Sequence, residues 1–165
     1  MKKTLIIASC ALAAFMFVGC DSKAKLKPII VGSYKVVNNT IGTIRQTPAV
    51  ITNNIDTFIT AAKVTKSALE FLATKIGPEK MKPYIDAVSS AIVVLEAIKA
   101  DPSQVTSKID QLISGLEKAR DGIVEVAKWA GCESDLPDPK ANVTATPEQI
   151  ATDSVELQKL IDSNK

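Results

Sequence analysis

Histidine is absent from this 165-residue sequence, and aromatic residues make up only 4% of it. Without histidine the chain cannot form a Ser-His-Asp triad, use a histidine as general base or build the common histidine-ligated zinc sites. The sequence also lacks a phosphate-binding glycine loop, a G-x-S-x-G nucleophile motif and a closely spaced pair of cysteines. These absences predict a protein that is not an enzyme and that uses no metal or cofactor.

One long apolar run is present, at the N-terminus. Lys2 and Lys3 precede a run from Leu5 to Val18 whose polar members are Ser9 and Cys10. The run is shorter than the about 20 apolar residues that a membrane-spanning helix needs. A basic start followed by an apolar stretch of about 7–15 residues is typical of a secretory signal peptide.

The apolar run ends in Phe17-Val18-Gly19-Cys20. This ending resembles the lipobox of bacterial lipoprotein precursors, usually Leu, a small or β-branched residue, Gly or Ala, and Cys; Phe17 departs from the usual Leu. The resemblance implies that residues 1–19 are a lipoprotein signal peptide, cleaved between Gly19 and Cys20, and that the Cys20 sulfur is diacylated. The alternative is an ordinary signal peptide and a released mature protein.

Asp21, directly after Cys20, resembles the signal that retains lipoproteins in the inner membrane of enteric bacteria. Together these resemblances imply a protein anchored to a membrane by its lipid, facing the periplasm or the cell exterior. They place it on the inner membrane where the retention rule applies.

Processing would change both the charge and the thiol content of the chain. Lys2 and Lys3 carry the formal net charge of +2, so the mature chain is neutral and gives no electrostatic reason to expect nucleic acid as a partner. With Cys10 removed and Cys20 acylated, Cys132 is the remaining thiol, which excludes a disulfide framework. Cys132 is then either buried or available to a partner.

The segment 20–27 is rich in polar residues and is predicted to be a membrane tether. Lys23, Lys25 and Lys27 alternate within it. Two interpretations are open: these lysines are attracted to anionic lipid headgroups, or the segment is a soluble spacer.

The rest of the sequence predicts helices separated by proline and glycine. Proline follows a capping or turn residue at four predicted helix starts, and is favoured at a first helical position. Apolar residues recur at alternating spacings of three and four, which predicts an all-α, antiparallel bundle of four main helices with left-handed heptad packing, plus a C-terminal helix. The predicted helices are 28–45, 48–76, 79–99, 102–130 and 147–162.

These helices define the expected domain organisation, with a helical bundle over 28–131, a linker over 132–146, and a C-terminal helix and tail over 147–165. Ile55 and Ile109 are predicted to be buried in the bundle seam. The helix 79–99 carries the widest apolar stripe, extended by Val93 and Val94, and is therefore predicted to be the central helix. The last helix has Ser154 in its seam and is predicted to dock weakly.

Helix 102–130 contains three further features of interest. Gly115 and Gly122 share one face, which predicts the close approach of a neighbouring helix. The carboxylates of Glu117, Asp121 and Glu125 also share a face; a charged, solvated surface is the preferred interpretation over a cation site. Trp129 lies off the seam and either closes the end of the bundle or is an exposed anchor for a binding partner.

Two classes of function fit these observations. The first is a membrane-anchored, non-enzymatic interaction or adaptor module that contacts another protein of the cell envelope. The alternative is a carrier of lipid or another apolar ligand, in which the bundle opens along the apolar stripe of helix 79–99. The low aromatic content argues against the carrier, because ligand pockets are usually lined by apolar and aromatic side chains.

Overall fold

The computed structural model describes residues 7–139 and 145–165, and their side chains from residue 23 onward. These residues form six α-helices and two short 3-10 turns, and the described part of the chain contains no strand. The prediction of an all-α helical bundle is confirmed. The helices are α1 (Ile7–Ile44), α2 (Pro48–Asn53), α3 (Ile55–Ile76), α4 (Pro78–Ala100), α5 (Val105–Ala130) and α6 (Pro147–Asp162).

Five long helices pack side by side in the order α1, α5, α4, α3 and α6, and α6 returns to α1. Helix α5 runs antiparallel to α1, because Lys23 meets Trp129 at one end while Arg45 meets Glu117 toward the other. We call the end that contains residues 23–27 and the C-terminal ends of α3, α5 and α6 the basal end.

The described residues between α5 and α6 contact α1 near both ends of the stretch whose side chains are described. Asp135 lies 2.9 Å from Lys27 near the basal end, and the Ala145 carbonyl accepts a 2.9 Å hydrogen bond from Thr43 near the far end of α1. Helix α6 therefore starts at the far end and runs parallel to α3, since both are antiparallel to α1. The bundle is thus not antiparallel throughout, because this long crossover replaces a tight turn.

The prediction that helix 79–99 is central is wrong, because α4 packs mainly against two long helices, α3 and α5, whereas α1 packs against α3, α5 and α6. Ile29, Ile30 and Ile44 are fully buried on α1. The Ser33 and Thr40 hydroxyls, also buried, donate to carbonyls one turn earlier at 2.6 and 2.8 Å, so their burial leaves no unpaired donor. The glycine and polar residues between its apolar residues make the extent of this burial hard to predict from the sequence.

Helix α4 packs mainly between α3 and α5 and leaves its outer face uncovered. Val94 is only 4% exposed, whereas its neighbour Val93 is 65% exposed. The wide apolar stripe of the sequence therefore covers one buried face and continues onto the surface, instead of surrounding a buried helix.

The predicted helix 48–76 is broken into α2 and α3 at Asn54. The Asn54 side-chain amide donates to the Val50 carbonyl at 3.0 Å, and its backbone leaves the helical region at φ −127° and ψ 26°. Asparagine competes for backbone hydrogen bonds in this way, which interrupts helices. Ile55, directly after the break, is only partly buried, as is Ile109 near the start of α5, so neither is the fully buried seam residue expected.

Helix α6 docks tightly, contrary to the predicted weak docking. Ile150, Ser154 and Leu157 are at most 1% exposed, and the Ser154 hydroxyl donates to the Ile150 carbonyl at 2.7 Å. Because that bond satisfies the hydroxyl within the helix, the serine does not oppose burial. Leu157 packs over Gly32 of α1, where a Cβ would lie 3.4 Å from the leucine methyl carbon.

The polar segment predicted as a tether is helical in the structure from its first described side chain. Residues 23–27 belong to α1, and Leu26 is buried at 6% exposure. The Lys27 side chain is held by Asp135. This helical turn is hard to recognise in the sequence, because its lysines alternate and Leu26 is the one buried residue among 23–27.

The close approach predicted at the two glycines of α5 is confirmed. A Cβ added at Gly115 would lie 3.0 Å from the Ala87 carbonyl oxygen of α4, and one added at Gly122 would lie 2.5 Å from Cγ of Tyr84. Glycine therefore lets α4 and α5 pack at short range along their whole contact.

Candidate functional site

The predicted site residues fall in two different parts of the chain. Gly19 and Cys20 belong to the N-terminal stretch whose side chains lie outside the described residues, so cleavage and lipidation there stay predictions. Trp129 is described: it lies in the last turns of α5, at the basal end, and is 40% exposed.

Lys23 covers one side of the Trp129 indole. Its ammonium nitrogen lies 4.6 Å from the ring centroid and donates a 3.1 Å hydrogen bond to the Trp129 carbonyl. Cation–π contacts of this kind stabilise exposed sites by about 0.5–1 kcal/mol. Two residues that the sequence analysis singled out separately are thus in direct contact.

A surface groove of about 460 Å³ lies beside this pair. Phe71 and Lys75 of α3 form a second stack at its edge, with the Lys75 nitrogen 5.0 Å from the phenyl centroid. The groove is lined by Lys25, Leu26, Phe71, Thr74, Lys75, Trp129 and Asn164. We call Lys23, Lys25, Phe71, Lys75 and Trp129 the basal patch.

The positive charge of the basal patch is not neutralised locally. Lys23, Lys25 and Lys75 form no ion pair with any carboxylate in the described part of the chain, whereas three nearby acids are each held by another lysine. Those pairs are Lys27–Asp135, Lys128–Glu125 and Lys165–Asp162. Glu133 is exposed at the same end. The patch therefore combines one exposed aromatic ring, Trp129, and the buried edge of Phe71 with unpaired ammonium groups.

Sequence analysis did not identify Phe71 and Lys75 as part of this patch. A signal for them was present: they are separated by one helical turn just before the helix end at Gly77. In a bundle, that position faces the same end as Gly131, which closes α5 in the left-handed conformation at φ 75°.

A second candidate surface follows the outer seam of α4 and α5. Two shallow grooves of about 500 and 230 Å³ meet at Ser90. The close packing of Gly115 against Ala87 leaves little side-chain bulk to fill the seam, which explains the grooves. Val93 borders the smaller groove and is the most exposed large apolar residue described.

Two of the three carboxylates aligned on α5, Glu117 and Glu125, take part in ion pairs. Glu117 accepts from Arg45 at 2.7 Å and Glu125 lies 3.3 Å from Lys128. The described residues hold no group of three or more His, Cys, Asp or Glu side chains able to bind a metal ion. This face of α5 is a charged surface that links helices.

Cys132 is buried, at 4% exposure, in the turn that follows α5. Burial raises the pKa of its thiol, with the Asp135 carboxylate acting in the same direction. The thiol is therefore held in its protonated, unreactive form, which decides between the two interpretations left open by the sequence.

Nothing described in the structure crosses a membrane: none of its helices, over residues 7–139 and 145–165, has the length and apolar character required. Comparison with protein-family models, with curated proteins and with solved structures finds no match for this chain.

Proposed function

We propose that this protein is a bacterial lipoprotein, anchored to a membrane of the cell envelope by acyl chains on Cys20, whose helical bundle is a non-enzymatic module for binding another envelope protein. The observation that carries the proposal is the Val18-Gly19-Cys20 ending of a basic-then-apolar N-terminus. The burial of Leu26 on α1 supports it, because the packed part of the bundle then starts within two turns of the acylated residue.

The uncovered face of α4 is the surface proposed for the partner. Helix α4 packs against α3 and α5, on the side of the bundle away from α1, so its outer face is left free. Val93 stands on that face at 65% exposure beside the grooves of the α4–α5 seam. The smaller groove is lined by apolar and polar side chains together, as protein-binding surfaces are.

The anchor is tested by Cys20→Ser, with Cys132→Ser as the matched control. We expect Cys20→Ser to lose all incorporation of labelled palmitate and to leave the membrane fraction, because the serine hydroxyl does not replace the acylated thiol. Cys132→Ser should keep both properties, since Cys132 is buried and lies outside the Phe17-Val18-Gly19-Cys20 motif. Palmitate labelling of the Cys20→Ser protein would contradict the proposal.

The interaction module is tested by Val93→Asp, with Val155→Asp on α6 as the control. Both valines are exposed, at 65% and 52%, so neither change should unfold the bundle. Crosslinking in intact cells, followed by purification of the tagged lipoprotein, should recover one envelope protein with wild type and with Val155→Asp, and lose it with Val93→Asp. Equal recovery with all three proteins would contradict the assignment of the α4 face. Stoichiometric, non-covalent lipid in native mass spectra would favour the carrier function instead.

A further inference from the structure

The position of the lipid anchor restricts how the bundle can sit on its membrane. Only Asp21 and Ser22 separate Cys20 from Lys23, and even a fully extended chain spans at most about 11 Å over three residues. Leu26, in the next turn of α1, is packed in the core. The expected flexible tether is instead part of α1, so an anchor on Cys20 would hold the basal end close to the headgroups.

The charge at that end suits an anionic lipid surface. The ammonium groups of Lys23, Lys25 and Lys75 come from two different helices and make no ion pair among the described residues. Electrostatic attraction acts over a Debye length of about 10 Å at 0.1 M salt, which is similar to the reach of the anchor. Each lysine close to an anionic bilayer strengthens binding several-fold.

The exposed aromatic residue of the basal patch, Trp129, suits the same surface. The Trp129 indole is 40% exposed and has an ammonium group 4.6 Å above one face. Tryptophan prefers the interface between water and hydrocarbon, where its ring is partly buried and its N–H remains hydrated. Phe71 lines the same groove but is only 8% exposed, so Trp129 is the ring available to the membrane.

We propose that the basal patch binds the anionic headgroups of the membrane that carries the anchor, and so fixes the bundle in one orientation. This inference rests on the lipid anchor proposed above. Trp129 then contacts lipid and not a protein partner. The bundle stands on the bilayer by its basal end, and the α4–α5 seam lies along its side.

The chain contains a single tryptophan, which makes Trp129 fluorescence a direct probe of this contact. The purified lipidated protein is reconstituted in vesicles of pure phosphatidylcholine, or of phosphatidylcholine with about one-third phosphatidylglycerol. We expect acrylamide to quench Trp129 much less on the anionic vesicles than on the neutral ones. Added salt should remove the difference, because it screens the lysines.

The double variant Lys25→Gln/Lys75→Gln tests the electrostatic part and leaves Lys23 on the indole. Loss of two lysines should lower the ratio of docked to undocked protein roughly 30-fold on the anionic vesicles. The control, Lys63→Gln/Lys99→Gln, removes the same charge from the α3–α4 face, where the two lysines pair with Glu96 and Asp56. It should behave as wild type.

Flotation with the vesicles separates the two proposals. A protein that fails to float lacks the anchor, which overturns the proposed function. A protein that floats but shows equal quenching on both vesicle types overturns the lipid contact and leaves the anchor intact. Protection of Trp129 that appears only after addition of an envelope protein would likewise overturn the lipid contact, and would assign the patch to that partner.

Discussion

Val88→Asp is expected to unfold the bundle, whereas Val93→Asp on the same helix is expected to leave its stability close to that of wild type. Val88 is 0% exposed and Val93 is 65% exposed. An uncompensated charge in a buried site destabilises a protein by roughly 3–5 kcal/mol, a large part of the about 5–15 kcal/mol that holds a typical domain together. An exposed substitution usually changes stability by less than about 0.5 kcal/mol.

The two variants are matched in chemistry. Each replaces valine by aspartate within the interior of α4, so the change in helix propensity is the same and only burial differs. Urea denaturation followed by far-UV circular dichroism measures both. Equal denaturation midpoints for Val88→Asp and wild type would mean that α4 does not pack through Val88, and a strongly destabilised Val93→Asp protein would place that residue in the core.

Burial of α4 could be predicted from the sequence only in part. The spacing of Val88, Leu95 and Ile98 identifies the packed face, and all three are at most 1% exposed. The same hydrophobicity made Val93 look buried, because a sequence shows how apolar a helix is but not how many neighbours it has. The number of helices that contact α4 depends on the order in which the helices pack side by side. That order follows from the crossover between α5 and α6.

The burial of polar residues on α1 could not be predicted for a related physical reason. Its buried polar groups are satisfied by partners that the sequence does not reveal: Asn38 accepts a hydrogen bond from Arg120 at 2.9 Å, and Thr43 donates to Ala145. A run with glycine and polar residues predicts a weakly packed helix when its partners are unknown. Hydrogen bonds across long sequence separations make the same run suitable for the core.

The basal patch, too, could be predicted only in part from the sequence. The lysines before the bundle and Trp129 were each identified as candidates for binding, but their contact joins residues 106 positions apart. Helical order and antiparallel direction predict that both lie at one end of the bundle. The stacking of Lys23 on the indole depends on side-chain positions that helix periodicity does not determine.

Asp153 adds a contact to the docking of α6 that the sequence analysis did not consider. Its carboxylate is 6% exposed and accepts from Lys35 at 3.0 Å, from Asn39 at 3.4 Å and from Gln149 at 3.0 Å. A carboxylate on the buried side of a short helix normally argues against burial. Here two of the donors come from α1, so this charge forms part of the α1–α6 contact.

Leu157→Ala is expected to destabilise the protein by about 2–5 kcal/mol, the usual range for removing a fully buried leucine side chain. Leu157 is 1% exposed and fills the space left over Gly32 of α1, so its truncation leaves a cavity between the two helices. Val155→Ala, two residues earlier on α6, is the control. Val155 is 52% exposed, and alanine is the better helix former, so we expect its denaturation midpoint to be unchanged or slightly raised.

Chemical denaturation of both variants decides whether α6 belongs to the cooperative core. A lower midpoint for Leu157→Ala with an unchanged slope means that α6 unfolds together with the other helices. If α6 were frayed in solution, both variants would denature as wild type does, because neither side chain would be packed. That outcome would also remove the support that α6 gives to α1 through Asp153, and would restore the weakly docked C-terminal helix that the sequence predicts.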